Sequence, residues 1–136
     1  MLSQSIDIAE ARDTFSDAIE LYRQVLPNEF HPRLEAFTIR ITDFEDQLAG
    51  AFNDVIWIDE DGSGLGWWTE SQFDESSNEQ RYDLLTVAMH EIGHLLGVEH
   101  SLDPDDLMFE RIGPNTSKSI PLDIVDRIFS DVGDHH

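Results

Sequence analysis

The sequence predicts an α+β domain: a small, twisted, mixed sheet with one backing helix, a second helix after the sheet, and a C-terminal helix. Apolar residues recur at helical spacing over residues 7–26 and 83–96, extended segments fill residues 37–58 between them, and a proline-initiated apolar face follows at 121–129. The 136 residues suit one domain, 1–136, with residues 1–6 and 131–136 expected to be flexible ends.

The first helix is expected from Asp7 to Leu26. Ile8, Ala11, Phe15, Ala18, Ile19, Tyr22 and Val25 recur at three- and four-residue steps, and Asp7 with Glu10 makes a capping box. Pro27 and Pro32 bracket a connection containing His31, a single histidine expected at the surface. Phe37, Ile39 and Ile41 then alternate with Thr38, Arg40 and Thr42, as in a half-buried strand. Gln47 to Phe52 forms a second extended stretch, with the look of an exposed edge strand, and ends near Asn53 and Asp54. Val55 to Ile58 forms a third strand, before the glycine-rich Asp61 to Gly66 and the pair Trp67 and Trp68. Residues 72–80 are polar and loop-like. A second helix runs from Asp83 through Leu84, Leu85, Val87, Ala88, Ile92, Leu95 and Leu96 to a stop at Gly97. Pro121 opens the last helix, whose apolar face (Ile124, Val125, Ile128, Phe129) is expected to pack against the rear of the sheet.

Composition removes whole classes of function. The 29 acidic residues outweigh 8 Lys and Arg, giving a net charge of −21, so nucleic-acid binding is excluded. No apolar run approaches the roughly 20 residues of a membrane span. With no cysteine there is no disulfide and no thiolate ligand, so any metal must rest on His, Asp or Glu. The N-terminus has no basic region leading into an apolar stretch, so the expectation is either that an export signal was trimmed away or that the chain is an excised domain or part of a larger protein. His135 and His136 have the look of a tail or tag remnant.

The second helix carries the chemistry. His90 and His94 are four residues apart, about 40° around the axis and about 6 Å along it, so both imidazoles can reach one ion. Glu91 can face the same ion, and after Gly97 the chain can return His100 as a third ligand. Three nitrogen ligands leave the fourth position of a zinc ion open, the arrangement of a catalytic site.

The run His90-Glu91-Ile92-Gly93-His94-Leu95-Leu96-Gly97-Val98-Glu99-His100-Ser101, with Asp103-Pro104 and Leu107-Met108, resembles the metzincin metallopeptidases and most of all their matrixin branch. Leu48-Ala49-Gly50-Ala51-Phe52 is similar to the edge-strand segment of matrix metalloproteinase catalytic domains, and Asp83 to Ala88 to the entry of their active-site helix. The run Asp61 to Trp68 resembles matrixin-like modules inside large bacterial surface proteins. The resemblance implies a zincin fold and a zinc-dependent endopeptidase, secreted or at a cell surface. His90, His94 and His100 would be zinc ligands, Glu91 the general base toward a zinc-activated water, and Met108 the Met-turn residue beneath the metal. An extended peptide or protein substrate would pair with Leu48, Ala49, Gly50, Ala51 and Phe52. Thr86 would set the depth of the pocket for the residue after the cleaved bond, with Phe109 to Pro114 as the facing wall.

The sequence also departs from the family. No histidine cluster lies between residues 32 and 89, so a second, structural zinc is not expected, and Phe109 stands near where astacin- and serralysin-like relatives carry a tyrosine. The strand that usually precedes the first helix is not evident, and no cysteine is present for a cysteine-switch latency. Asp59, Asp61 and the following glycines could cage calcium, although not as an EF-hand, which would put Trp57 and Trp68 at acidic ligand positions. Two alternatives stay open: a binding or adhesin module that retains zinc, and a self-processing module of a larger surface protein.

Overall fold

The computed structural model describes residues 6–44, 47–69 and 78–133. Helix α1 spans Ile8–Val25 and starts at the expected capping box: Asp7 Oδ1 accepts the Glu10 N–H at 2.8 Å, and Glu10 Oε1 accepts the Asp7 N–H at 3.3 Å. Ala11, Phe15, Ala18 and Tyr22 form its buried stripe. Ile8 and Val25, expected on that stripe, lie at the two ends of the helix and are 37% and 48% exposed. Pro27 ends the helix. The connection that follows is a 3₁₀ turn, Asn28–Leu34, which buries Phe30 and Leu34; within it His31 Nε2 lies 3.0 Å from the carbonyl oxygen of Leu26.

Three strands form the main sheet: β1 (Thr38–Thr42), β2 (Ala49–Phe52) and β3 (Val55–Asp59), in the order β1-β3-β2. β1 is parallel to β3 and β2 antiparallel to it, so the sheet is mixed and β2 is an edge. Phe52 pairs with Val55 across the two-residue turn Asn53-Asp54, whose φ values of 51° and 63° are those of a type I′ hairpin. Along β3, Ile56 and Ile58 are fully buried, whereas Trp57 between them is 37% exposed. A further pairing was not anticipated from the sequence: β4 (Trp67–Trp68) runs parallel to β5 (Tyr82–Asp83) as a separate two-stranded sheet.

β5 leads directly into helix α2, Leu84–Leu95. Asp83 caps it, its carboxylate accepting from the Thr86 N–H and the Thr86 hydroxyl. Residues 86 to 93 are all buried, which explains why the helix is so apolar around its circumference. Gly97, at φ 98°, ends it: the Val98 N–H bonds to the Gly93 oxygen at 2.9 Å and the Gly97 N–H to the His94 oxygen at 3.0 Å, a Schellman motif.

Helix α3 spans Ile124–Gly133 and buries Ile124 and Ile128. A polar anchor adds to this apolar face: Arg127 forms a bidentate pair with Asp106 at 2.8 Å for both bonds, tying α3 to the loop that leads into Met108. The side chain of Phe129 lies outside the described residues. Of the ends expected to be flexible, residues 1–5 and 134–136, with His135 and His136, lie outside the description; Ile6 is buried with its N–H on the Glu60 oxygen, and residues 131–133 continue α3. Most of the polar stretch 72–80 is outside it too. Among the described residues no helix is long and apolar enough to cross a membrane.

Candidate active site

Helix α2 sets His90 and His94 one turn apart, and the left-handed residue Gly97 turns the chain so that His100 comes back toward them. The ring centroids are 4.7 Å (His90 to His94), 4.7 Å (His94 to His100) and 5.5 Å (His90 to His100) apart. One nitrogen of each imidazole lies within 4.8 Å of the others, the one group of potential metal ligands that converges in this way among the described residues.

The backbone fixes the tautomers. His90 Nδ1 lies 2.8 Å from the Leu107 carbonyl oxygen and His94 Nδ1 lies 2.9 Å from that of Val98. A carbonyl oxygen can only accept, so each Nδ1 carries the proton and each Nε2 keeps its lone pair. Burial pushes His90 down to about 4 and His94 down as well, so both rings are neutral near pH 7. The two Nε2 atoms are nonetheless 3.1 Å apart. Two lone pairs facing each other at that distance repel unless a cation lies between them, and tetrahedral zinc with bonds of 2.0–2.1 Å sets its nitrogens about 3.3 Å apart. The donor set fits zinc.

Glu91 is 6% exposed, and burial raises its carboxyl to about 7. With His90 it lines a cleft of 580 Å³. Ala49 of β2 and Leu48 just before it supply one side, Tyr82 and Val87 another, and the chain from Glu110 to Gly113 the far wall. Met108 is fully buried beneath α2, at the level of Gly93. Its position is held on three sides: its N–H donates to Asp106 Oδ2, its carbonyl oxygen accepts from the Ser101 N–H, and Asp106 is clamped by Arg127. Lys118 Nζ adds a 3.2 Å bond to the Asp106 carbonyl.

Not every expected substrate contact reaches the cleft. Leu48 and Ala49 line it, whereas Gly50, Ala51 and Phe52 continue along β2 beyond it, and Phe52 is 72% exposed. Thr86 is fully buried, not cleft-facing: its hydroxyl donates to Asp83 and accepts from the Lys118 N–H, because the helix cap claims its polar group. Val87, one residue on, faces the cleft instead. Phe109 also stands off the cleft lining, bridged to Ser101 and lying under the Lys118 ammonium, and its successors Glu110 to Gly113 form the wall. Asp59 is fully buried and accepts N–H groups from Phe44 and Ser63, while Asp61 accepts from Gly64. Burial and the neighbouring Asp61 raise the Asp59 carboxyl, two backbone bonds opposing them.

The comparisons with known proteins agree with this geometry. A family model described as Matrixin matches residues 2–129. The chain is a matrixin. Among curated proteins, a cat matrilysin is 39% identical over 66 residues, 46% of this chain and 25% of that protein. A soybean metalloendoproteinase 1 is 40% identical over 63 residues, 46% of this chain and 21% of its own length. A rabbit macrophage metalloelastase is 41% identical over 56 residues, 38% of this chain and 12% of the relative. The chain therefore spans a quarter or less of each of these relatives. As a matrixin it belongs with the zinc metallopeptidases, and the cluster of His90, His94 and His100 fits a zinc site.

Sequence reasoning passed over four residues of this matrixin's site: Gly93, Asp106, Asn115 and Arg127. Gly93 carried a usable signal, since glycine inside a buried helix is costly unless something must approach its backbone.

Proposed function

We propose that this domain is an endopeptidase acting on extended peptide or protein segments, with His90, His94 and His100 holding zinc and Glu91 carrying protons. The observation behind it is the convergence of three imidazoles, two locked in the neutral Nδ1–H tautomer, with His90 and Glu91 of the same helix lining a cleft. Bound zinc supplies Lewis acidity, which makes a water nucleophilic near neutral pH and polarises a peptide carbonyl. Glu91 takes the proton released by the attacking water and returns it to the nitrogen of the departing amine. Burial favours the protonated form of the Glu91 carboxyl and a bound cation would favour the ionised form, so the group is placed both to take up a proton and to release it.

The outer edge of β2 leaves backbone donors and acceptors for a substrate strand to pair with, antiparallel, as far as Leu48 and Ala49 at the cleft. The side chain after the cleaved bond enters between Val87 and the wall Glu110 to Gly113. Calcium is a structural ion in this proposal: Asp59 at the end of β3 and Asp61 in the glycine-rich turn that follows it are neighbours in a strongly acidic chain. Family membership supports a secreted or cell-surface setting within a larger protein.

Zinc determination combined with cleavage of a mixed peptide library, for the wild type and Glu91→Ala, tests the proposal. Turnover lost only in Glu91→Ala supports it. Zinc without turnover would favour a binding module, and cleavage confined to the parent chain a self-processing one.

A further inference from the structure

The far wall of the cleft has no regular secondary structure, yet one side chain ties it to the rest of the molecule. Asn115 stands two residues beyond Gly113 in the left-handed region, at φ 52°. Its Oδ1 accepts from Trp68 Nε1 at 2.7 Å and from the Arg81 N–H at 3.1 Å. Its Nδ2 donates to the Glu79 carbonyl oxygen at 2.9 Å, and its own N–H donates to the Arg81 carbonyl oxygen at 2.8 Å. The Arg81 guanidinium lies 5.1 Å over the Trp68 ring. One asparagine thus joins the chain after Met108 to β4 and to the segment that enters β5 and α2. Its bonds run to the residue before Tyr82, which faces Ile112 and Gly113 across the cleft. A loop without regular structure is more mobile than the elements it connects, and hydrogen bonds converging on one residue restrain it.

We propose that Asn115 is a positioning residue that sets the width of the cleft, and through it which peptide side chain is admitted beside the histidines. This rests on the endopeptidase reading and extends it to selectivity. Asn115 touches neither the imidazoles nor Glu91 in any hydrogen bond described, so the loss of its side chain moves substrate binding and leaves the proton chemistry in place.

Asn115→Gly is the informative variant, because glycine keeps the left-handed backbone while removing the three side-chain bonds described above. In the zinc-loaded protein KM for the preferred peptide rises about tenfold while kcat stays within about twofold, and the preference between large and small residues after the cleaved bond narrows by a similar factor. Asn115→Asp, which keeps the acceptor for Trp68 and Arg81, restores most of that preference. Hydrogen exchange, which needs no turnover, quickens at the amides of Arg81, Ile112 and Gly113 in the glycine variant. If Asn115→Gly fails to fold, Trp68→Phe, which deletes one of the same bonds, is measured instead. A wild type that binds zinc but cleaves no peptide refutes the endopeptidase reading alone; exchange and directly measured peptide affinity then judge the clasp. Unchanged selectivity or affinity overturns the assignment whether or not exchange changes, as does a parallel fall of kcat, KM preference and zinc content.

Discussion

The sulfur of Met108 occupies the space that a side chain at Gly93 would need: a Cβ built on Gly93 would lie 2.7 Å from Met108 Sδ and 3.1 Å from its Cε, with the Tyr22 hydroxyl at 3.2 Å. Neither neighbour is free to retreat. Met108 is held through Asp106 and Ser101, and Tyr22 donates to the Met89 carbonyl oxygen at 2.7 Å from a fully buried position.

Gly93→Ala therefore reverses the usual sign. In an unhindered helix interior, alanine for glycine adds about 1 kcal/mol of stability; here overpacking costs about 2 kcal/mol and pushes apart the turn that carries His90 and His94. Urea unfolding of the zinc-free protein checks the sign, and a stabilised Gly93→Ala would mean that Met108 moves aside cheaply.

Glu91 and His94 divide the labour of the site. Glu91→Ala keeps the zinc and loses at least about a hundredfold in turnover, as expected for removal of a general base. His94→Ala loses the metal itself. Zinc measured after dialysis against a weak chelator separates the two; equal loss in both variants would make Glu91 a ligand.

How much of this was legible beforehand follows the range of the interactions. The histidine triplet, the Gly97 stop, the capping box of α1 and the edge position of β2 are all set by neighbours a few residues apart, and sequence periodicity reads such neighbours directly. The Trp67–Trp68 pairing with Tyr82–Asp83, the Arg127–Asp106 pair and the Asn115 clasp join residues 15 to 47 positions apart through a few polar contacts each. No periodicity announces such a contact. Thr86 shows a related limit: its position on the helix can be read from the sequence, but the bond of its hydroxyl to the cap residue Asp83 cannot.

Arg127 gives the molecule an acid-sensitive tether. The guanidinium beside Asp106 holds its carboxyl below the ordinary value of about 3.9, so at low pH the unfolded chain binds the proton more readily than the folded one. The stability from this pair is complete above that ordinary value and is lost as pH falls through the depressed one. Arg127→Gln costs about 2 kcal/mol near neutral pH, and its deficit against the wild type shrinks as the pH approaches about 3. Denaturation curves across that range check it; a constant deficit would assign the loss to packing.

Calcium added to chelator-treated, zinc-restored protein raises the melting temperature, and Asp59→Asn abolishes the increment. Scanning calorimetry with magnesium as the control ion decides between a specific site and general screening of the acidic surface.

All three imidazoles lie between residues 90 and 100, in one helical turn and the Schellman loop that closes it. Chain closure around an ion is then a local event with little entropy to overcome, unlike the long-range docking of Met108, Tyr22 and Arg127. Metal capture need not wait for the tertiary structure. A nascent chain that has formed only α2 and its terminal loop already has the ligand set, so metal uptake can precede assembly of the sheet and seed the order in which the rest of the chain folds.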